Sequence, residues 1–204
     1  MTAATSLLTP AATWRAELPT LSSRLVSLRE LTPRDAGDLL VVLSVDDAPR
    51  FGTDEPISAF GVQRLIERAA RDRSLGIGFT YAITLNGSRR FIGLIQMRQL
   101  DPAFEGAEWE CVIHPSFRGQ GAFLEAVRLA GSFAFGTVGC YRLEARVSVA
   151  NGRGNGALRK LGAVQEGLLR RSLRRGGTYL DQVLWSMLRA DWGENWVSTG
   201  PRIH

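Results

Sequence analysis

The chain has 204 residues, 45% of them hydrophobic and 22% charged, which is the composition of an ordinary globular domain and excludes disorder, collagen and a small disulfide scaffold. Its longest apolar run, Leu39 to Leu43, is far short of the ~20 residues a membrane-spanning helix requires. The formal net charge is +5 and the pI about 10.0, yet the basic residues, all arginine except Lys160, are mostly interspersed with acids, as at Arg68, Asp72 and Arg73. No direct nucleic-acid binding is expected.

Cys111 and Cys140, with His114 and His204, lack the spacing of a zinc site, so no metal is expected and both thiols read as reduced and structural. The N-terminal segment is rich in Ala and Thr and lacks a charged stretch followed by an apolar one. The expected organisation is a loose extension over 1–21, one domain over 22–192, and a tail over 193–204, in a cytoplasmic protein.

Along the chain, Leu25 to Leu31 alternates as a strand does, and Thr32-Pro33 opens a helix to about Val45. Asp46 to Pro56 is a polar loop. Ser58 caps a second helix, to about residue 73, whose Val62, Leu65, Ile66 and Ala69 share one face. Phe79 to Leu85 and Arg90 to Leu100 flank Asn86-Gly87, a strong hairpin signal.

Glu108 to Ile113 is a further strand. It runs through a glycine-containing loop into a helix from Ala122 to about Phe135, stopped by Gly136 to Gly139. Arg142 to Val149 is the next strand, and Asn155 to Leu161 a short helix ended by Gly162. Gly167 to Leu173 and Tyr179 to Leu188 enclose Arg175-Gly176-Gly177 and close the fold as a hairpin. Its cluster Arg170, Arg171, Arg174 and Arg175 reads either as a solvated face or as a docking patch for an acidic substrate or partner.

The chemistry centres on His114-Pro115-Ser116-Phe117-Arg118-Gly119-Gln120-Gly121-Ala122. Glycines between a strand and a helix let backbone N–H groups converge on an anion, and the helix N-terminus adds partial positive charge. No Gly-Lys-Ser/Thr follows, so this is not a nucleotide-hydrolase loop, nor is it the dinucleotide GxGxxG. His114 reads as structural. Trp109, Trp185, Trp192 and Trp196 read as core or interface residues, with a substrate slot as the alternative.

Three linked motifs resemble the GNAT superfamily of acyl-CoA-dependent N-acyltransferases from about Ser22 to Trp192. HPSFRGQGA is similar to its R/Q-x-x-G-x-G/A pyrophosphate loop. Arg142-Leu143-Glu144-Ala145-Arg146, then Asn151, then Leu158-Arg159-Lys160-Leu161-Gly162, is similar to its strand, asparagine and K-L-G-F segment. Gln165-Glu166-Gly167 with Tyr179-Leu180-Asp181 resembles the ribosomal-protein alanine N-acetyltransferase (RimJ/RimL-type) branch.

The resemblance implies an α/β (α+β) fold, a single mixed, mostly antiparallel sheet flanked by helices and splayed between the fourth and fifth strands. It implies acetyl-CoA as co-substrate, held by Ile113, Arg118, Gly119, Gln120, Gly121 and Ala122, with Asn151 bonding the pantetheine arm. Following a strand, Asn151 also reads as the cap of the short helix, and both roles are expected together. The chain departs from the family at Phe123, in place of a small residue, at Gly154 and Leu158, in place of the serine or tyrosine hydroxyl that could protonate the leaving thiolate, and at Ala163, in place of phenylalanine.

Amide formation needs a base for the amine, and Glu108, Glu110 and Glu144 are the carboxylates near the loop. Glu108 and Glu110 lie two apart on one strand and share a face. The resemblance favours Glu108, and the alternative is that these are rim carboxylates paired with arginines such as Arg146. The function expected is acetyl transfer to a primary amine, of a peptide or protein N-terminus or a small molecule, by a monomer or homodimer. Direct transfer is preferred, because neither cysteine has a histidine partner in the sequence. A non-catalytic acyl-CoA-binding or sensing module is the alternative. Asp46 to Ser58 and Pro102 to Gly106 are expected to shape the acceptor pocket.

Overall fold

The computed structural model describes residues 14–44 and 58–194. A two-residue strand β1 (Leu21–Ser22) turns into β2 (Val26–Glu30), and one 3-10 turn (Pro33–Asp35) leads into α1 (Ala36–Leu43). Asp35 organises this entry, since its carboxylate accepts from the Thr32 N–H at 2.8 Å and from Arg29 at 2.5 Å. Helix α2 (Ala59–Leu75) starts where Ser58 Oγ accepts the Gly61 N–H at 3.0 Å and ends at Gly76 in the left-handed region. The strands β3 (Gly78–Leu85) and β4 (Phe91–Gln99) follow as the expected hairpin.

Next come β5 (Gly106–Ile113), the loop, and α3 (Ala122–Phe133), which widens into a single π turn (Ala134–Val138) before Gly139 stops it. Then come β6 (Arg142–Ser148), α4 (Gly152–Lys160), the hairpin β7 (Val164–Arg175) and β8 (Thr178–Leu188), and α5 (Arg189–Glu194). Helix α4 begins three residues earlier than expected, directly after Asn151, the residue expected to cap it.

The eight strands form one sheet in the order β1-β2-β3-β4-β5-β6-β8-β7, antiparallel at every junction except β5–β6. That parallel junction pairs only Gly106 with Arg142, Ala107 with Leu143 and Glu108 with Glu144. Beyond Glu108, β5 runs on to Ile113 and β6 to Ser148 without facing each other. With the two-residue β1 left out of the count, this is the splay expected between the fourth and fifth strands. Helices α1 and α2 cover one face over a core of Leu39, Val42, Leu65, Ile66, Leu94 and Val112. Helices α3 and α4 cover the other, where Phe79, Tyr81, Ile95, Val127, Phe133 and Leu158 pack.

The packed unit starts earlier than residue 22. Trp14 and Leu18 are 2% and 5% exposed, and Trp14 sits edge-on to Phe79 and Phe104, so these two side chains are part of the core although they lie in the segment expected to be a loose extension. Buried aromatic area of this kind contributes strongly to stability. At the other end Trp192 reaches back from α5 onto Phe135, and Gly131 of α3 leaves room for its ring. The expected loop over 46–56, Trp196 and most of the expected tail lie outside the described residues.

Candidate active site

The loop between β5 and α3 is assembled from its own ends. His114 caps the Pro115–Phe117 turn, its Nδ1 accepting from Ser116 N–H at 3.3 Å, which is the structural role expected of it. Arg118 folds back so that Nε donates to the Ile113 carbonyl at 2.9 Å, and Gln120 Nε2 donates to the Ser116 carbonyl at 3.0 Å. Gly119 and Gly121 sit at φ +77° and +89°, conformations that other L residues rarely adopt. Gly121 is the N-cap of α3, so the N–H groups of the first helical turn are left without intrahelical acceptors.

The start of α3 is pinned to the sheet. Glu125 Oε2 accepts from Ser23 Oγ at 2.7 Å and from the Leu25 N–H at 2.8 Å. Phe123, the departure from a small residue, is half-buried and leans on Trp109 with ring centroids 6.3 Å apart. The phenylalanine therefore faces the inner wall of the splay rather than solvent.

Across the splay, Asn151 Oδ1 accepts from Gly154 N–H at 2.9 Å and starts α4. Asn155, which the sequence did not single out, is 6% exposed and fully engaged. Its Nδ2 donates to the Ser148 and Asn151 carbonyls at 3.0 and 2.9 Å, and its Oδ1 accepts the Trp185 indole N–H at 2.9 Å. It locks the loop carrying Asn151 to β8. Leu158 is 2% exposed and packs in the core.

The cross-strand register places Arg98, Glu108, Glu144 and Ser186 in one row, on the face that carries α1 and α2. Glu108 is buried, at 6% exposure, with Oε2 paired to Arg98 and Oε1 3.4 Å from Arg146 Nε. The arginine pairing weighed as the alternative for Glu108 is thus present, and Arg98 supplies a second partner. Glu110 lies one pair further along the same face, opposite Gln96. Arg142 joins the remaining carboxylates: Nε donates to Glu144 at 2.8 Å and Nη1 to Glu166 Oε1 at 2.8 Å, while Ser186 Oγ donates to Glu166 at 2.7 Å. Arg142 and, secondarily, Ser186 hold the Glu166 carboxyl down at about 2.

The loop Pro102 to Gly106 stands beside this row, organised by Asp101, which accepts from the Gly106, Ala103 and Glu105 N–H groups. Neither thiol is poised for attack, since burial pushes Cys111 far up and Cys140 up to about 12. Arg170, Arg171 and Arg174 are exposed on the closing hairpin, on the edge strand β7.

A glycine loop at a helix N-terminus, opening into two strand edges without ladder partners, fits a pyrophosphate joined to an amide-bearing arm. A family model described as "Acetyltransferase (GNAT) domain" matches residues 25–164. The chain belongs to the GNAT acetyltransferases. It is an N-acetyltransferase, an enzyme that moves an acyl group from acyl-CoA to an amine. The spermidine N(1)-acetyltransferase of Escherichia coli (strain K12) is 25% identical over 158 residues, covering 76% of this chain and 82% of that protein.

"Putative ribosomal N-acetyltransferase YdaF" of Bacillus subtilis (strain 168) is 26% identical over 173 residues, covering 82% and 93%. This relative agrees with the RimJ/RimL-type branch that the third motif resembles. In fold, the GNAT chain superposes on Mycobacterium smegmatis RimJ in complex with CoA-disulfide with a TM-score of 0.76 at 22% identity, covering 86% of this chain and 90% of that one. Among the described residues no group of His, Cys, Asp and Glu is arranged to hold a metal, and no helix is long and apolar enough to cross a membrane.

Proposed function

We propose that this enzyme transfers an acetyl group from acetyl-CoA directly to a primary amine, that of a peptide or protein N-terminus or of a small molecule. The observation that carries the reading is the splay itself, with a glycine loop at one end and the carboxylate row at the other. The backbone N–H groups of Gly119 to Ala122 hold the pyrophosphate, with Arg118 bracing the loop against Ile113. Asn151 serves twice. Its Oδ1 caps α4, and its Nδ2 is a donor of the kind the pantetheine amides accept.

Glu108 takes the proton of the incoming ammonium, directly or through water, and the freed nitrogen attacks the thioester carbonyl. The C–N bond forms, the nitrogen gives up its second proton as the tetrahedral centre collapses, the C–S bond breaks, and the departing thiolate takes up that proton directly or through solvent. A thiol of this type has a pKa of ~8.5, so departure near neutral pH does not require a dedicated acid. Glu110 and Glu144, on the same face, are the next candidates for the base. The absence of an exposed thiolate supports direct transfer over an acyl-enzyme.

Two named relatives, a spermidine enzyme and a ribosomal N-acetyltransferase, represent the two acceptor classes within this proposal. The test is free-thiol release from acetyl-CoA by purified protein across peptides, polyamines and aminoglycosides. Release that depends on one class of amine, with the acetylated amine recovered, is expected. Release indifferent to every amine would overturn the proposal.

A further inference from the structure

Trp109 is 4% exposed, and its indole Nε1–H has no hydrogen-bond acceptor. Folded proteins rarely leave a buried donor unpaired, because the group loses its water without a replacement. The orphan is not a habit of this chain's indoles: Trp185 Nε1–H finds Asn155 at 2.9 Å and Trp192 Nε1–H finds Ser132 at 3.1 Å.

Its position gives the orphan meaning. Trp109 follows Glu108, the last residue of β5 to pair with β6, and so is the first residue inside the splay. Paired with Met97, it points to the face covered by α3, where Phe123 from the first turn of that helix leans on the ring. The strand edge beside it has lost its neighbour, and the glycine loop that fits a pyrophosphate lies further along the same strand and helix.

We infer that Trp109 is a ligand-recognition residue whose indole N–H donates to a carbonyl oxygen of the acyl-pantetheine arm. The inference rests on the acetyl-CoA reading above and adds a side-chain donor to it. The arm carries amide and thioester carbonyls, which are acceptors an N–H donor can satisfy in a site closed to water. Phe123 then acts by holding the indole plane rather than by touching the ligand's phosphates.

The test is calorimetric titration of Trp109→Phe with acetyl-CoA and with the CoA nucleotide lacking its pantetheine arm, beside Trp14→Phe, a buried indole packed on Phe79 and Phe104, as a control for lost indole packing. Trp109→Phe is expected to bind acetyl-CoA roughly 3- to 10-fold more weakly, the worth of one net hydrogen bond, and to bind the armless nucleotide as wild type does. Equal affinity for acetyl-CoA, or an equal loss for both ligands, would overturn the inference while leaving the acetyl-CoA reading intact. Wild type that binds neither ligand would overturn that reading itself.

The unmodified protein gives the same answer should Trp109→Phe fail to fold. In the nitrogen-labelled wild type, the Trp109 Nε1–H resonance is expected to move on adding acetyl-CoA and to stay in place on adding the armless nucleotide. A resonance unmoved by acetyl-CoA would contradict the assignment.

Discussion

The Gly154 N–H donates to Asn151 Oδ1 at 2.9 Å, and a Cβ at position 154 would stand 2.8 Å from the Nδ2 of that same side chain and 3.1 Å from Val147 Cγ1. The missing serine is therefore linked to the asparagine that caps α4. A hydroxyl at 154 would displace the Asn151 amide. Gly154→Ser is expected to lose roughly 0.5–2 kcal/mol of stability, the worth of an N-cap, and to weaken acetyl-CoA binding without raising kcat. Urea denaturation and titration check this, and a higher kcat would show that a hydroxyl acid is welcome there.

The other family hydroxyl fails for a different reason. Leu158 is 2% exposed within the core that also holds Trp185 and Val183, so a tyrosine there overfills a packed site. Leu158→Tyr is expected to cost about 1–3 kcal/mol, read as a lower denaturation midpoint, with no gain in kcat at any pH. A gain at unchanged stability would place the side chain in the cleft.

Glu108→Gln keeps one carbonyl acceptor, enough for Arg98 or Arg146 but not both, and cannot accept the amine's proton. If Glu108 is the base, kcat falls by a factor on the order of 10²–10⁴, with acetyl-CoA affinity close to wild type and a thermal midpoint lowered by the lost buried ion pairs. Near-full kcat over the pH range where the amine is protonated would move the role to Glu110 or Glu144.

Glu166 gives the acid limb of stability a named contributor. Its carboxyl is held at about 2 by Arg142 and Ser186, below the ~4.3 of an unfolded glutamate. The folded state therefore gains from this group fully above the unfolded value and loses the gain as pH falls toward about 2. The difference in thermal midpoint between wild type and Glu166→Gln should be present at pH 6 and shrink as pH drops below 4. A difference independent of pH would mean that the pair does not hold the carboxylate. The group is partly exposed, so the effect is modest and weakens with salt.

The local signals in this sequence carried much of the fold. Ser58 capping α2, Asn86-Gly87 turning β3 into β4, and Gly121 between β5 and α3 each act through their own backbone conformation, which is legible one residue at a time. The two-residue β1 has too few residues to show a period, and Trp14 and Leu18 sit in a stretch whose composition looks loose although those two side chains are core. The site divides in the same way. The glycine loop and the Asn151 cap are local. The row of Arg98, Glu108, Glu144 and Ser186 depends on the register of four strands, and the orphan on Trp109 depends on where β5 and β6 part; no spacing within one segment encodes either.

The central claim, that the loop from Gly119 to Ala122 cradles the CoA pyrophosphate, is tested most directly at Gly121. That residue sits at φ +89° with Leu25 Cδ1 3.3 Å from where a Cβ would stand, and a glutamate side chain there would add strain, bulk and negative charge at the helix N-terminus. Calorimetric titration of wild type and Gly121→Glu with acetyl-CoA is the measurement. Saturable binding by wild type and none by a folded Gly121→Glu is the predicted result, and unchanged affinity in the variant would contradict it.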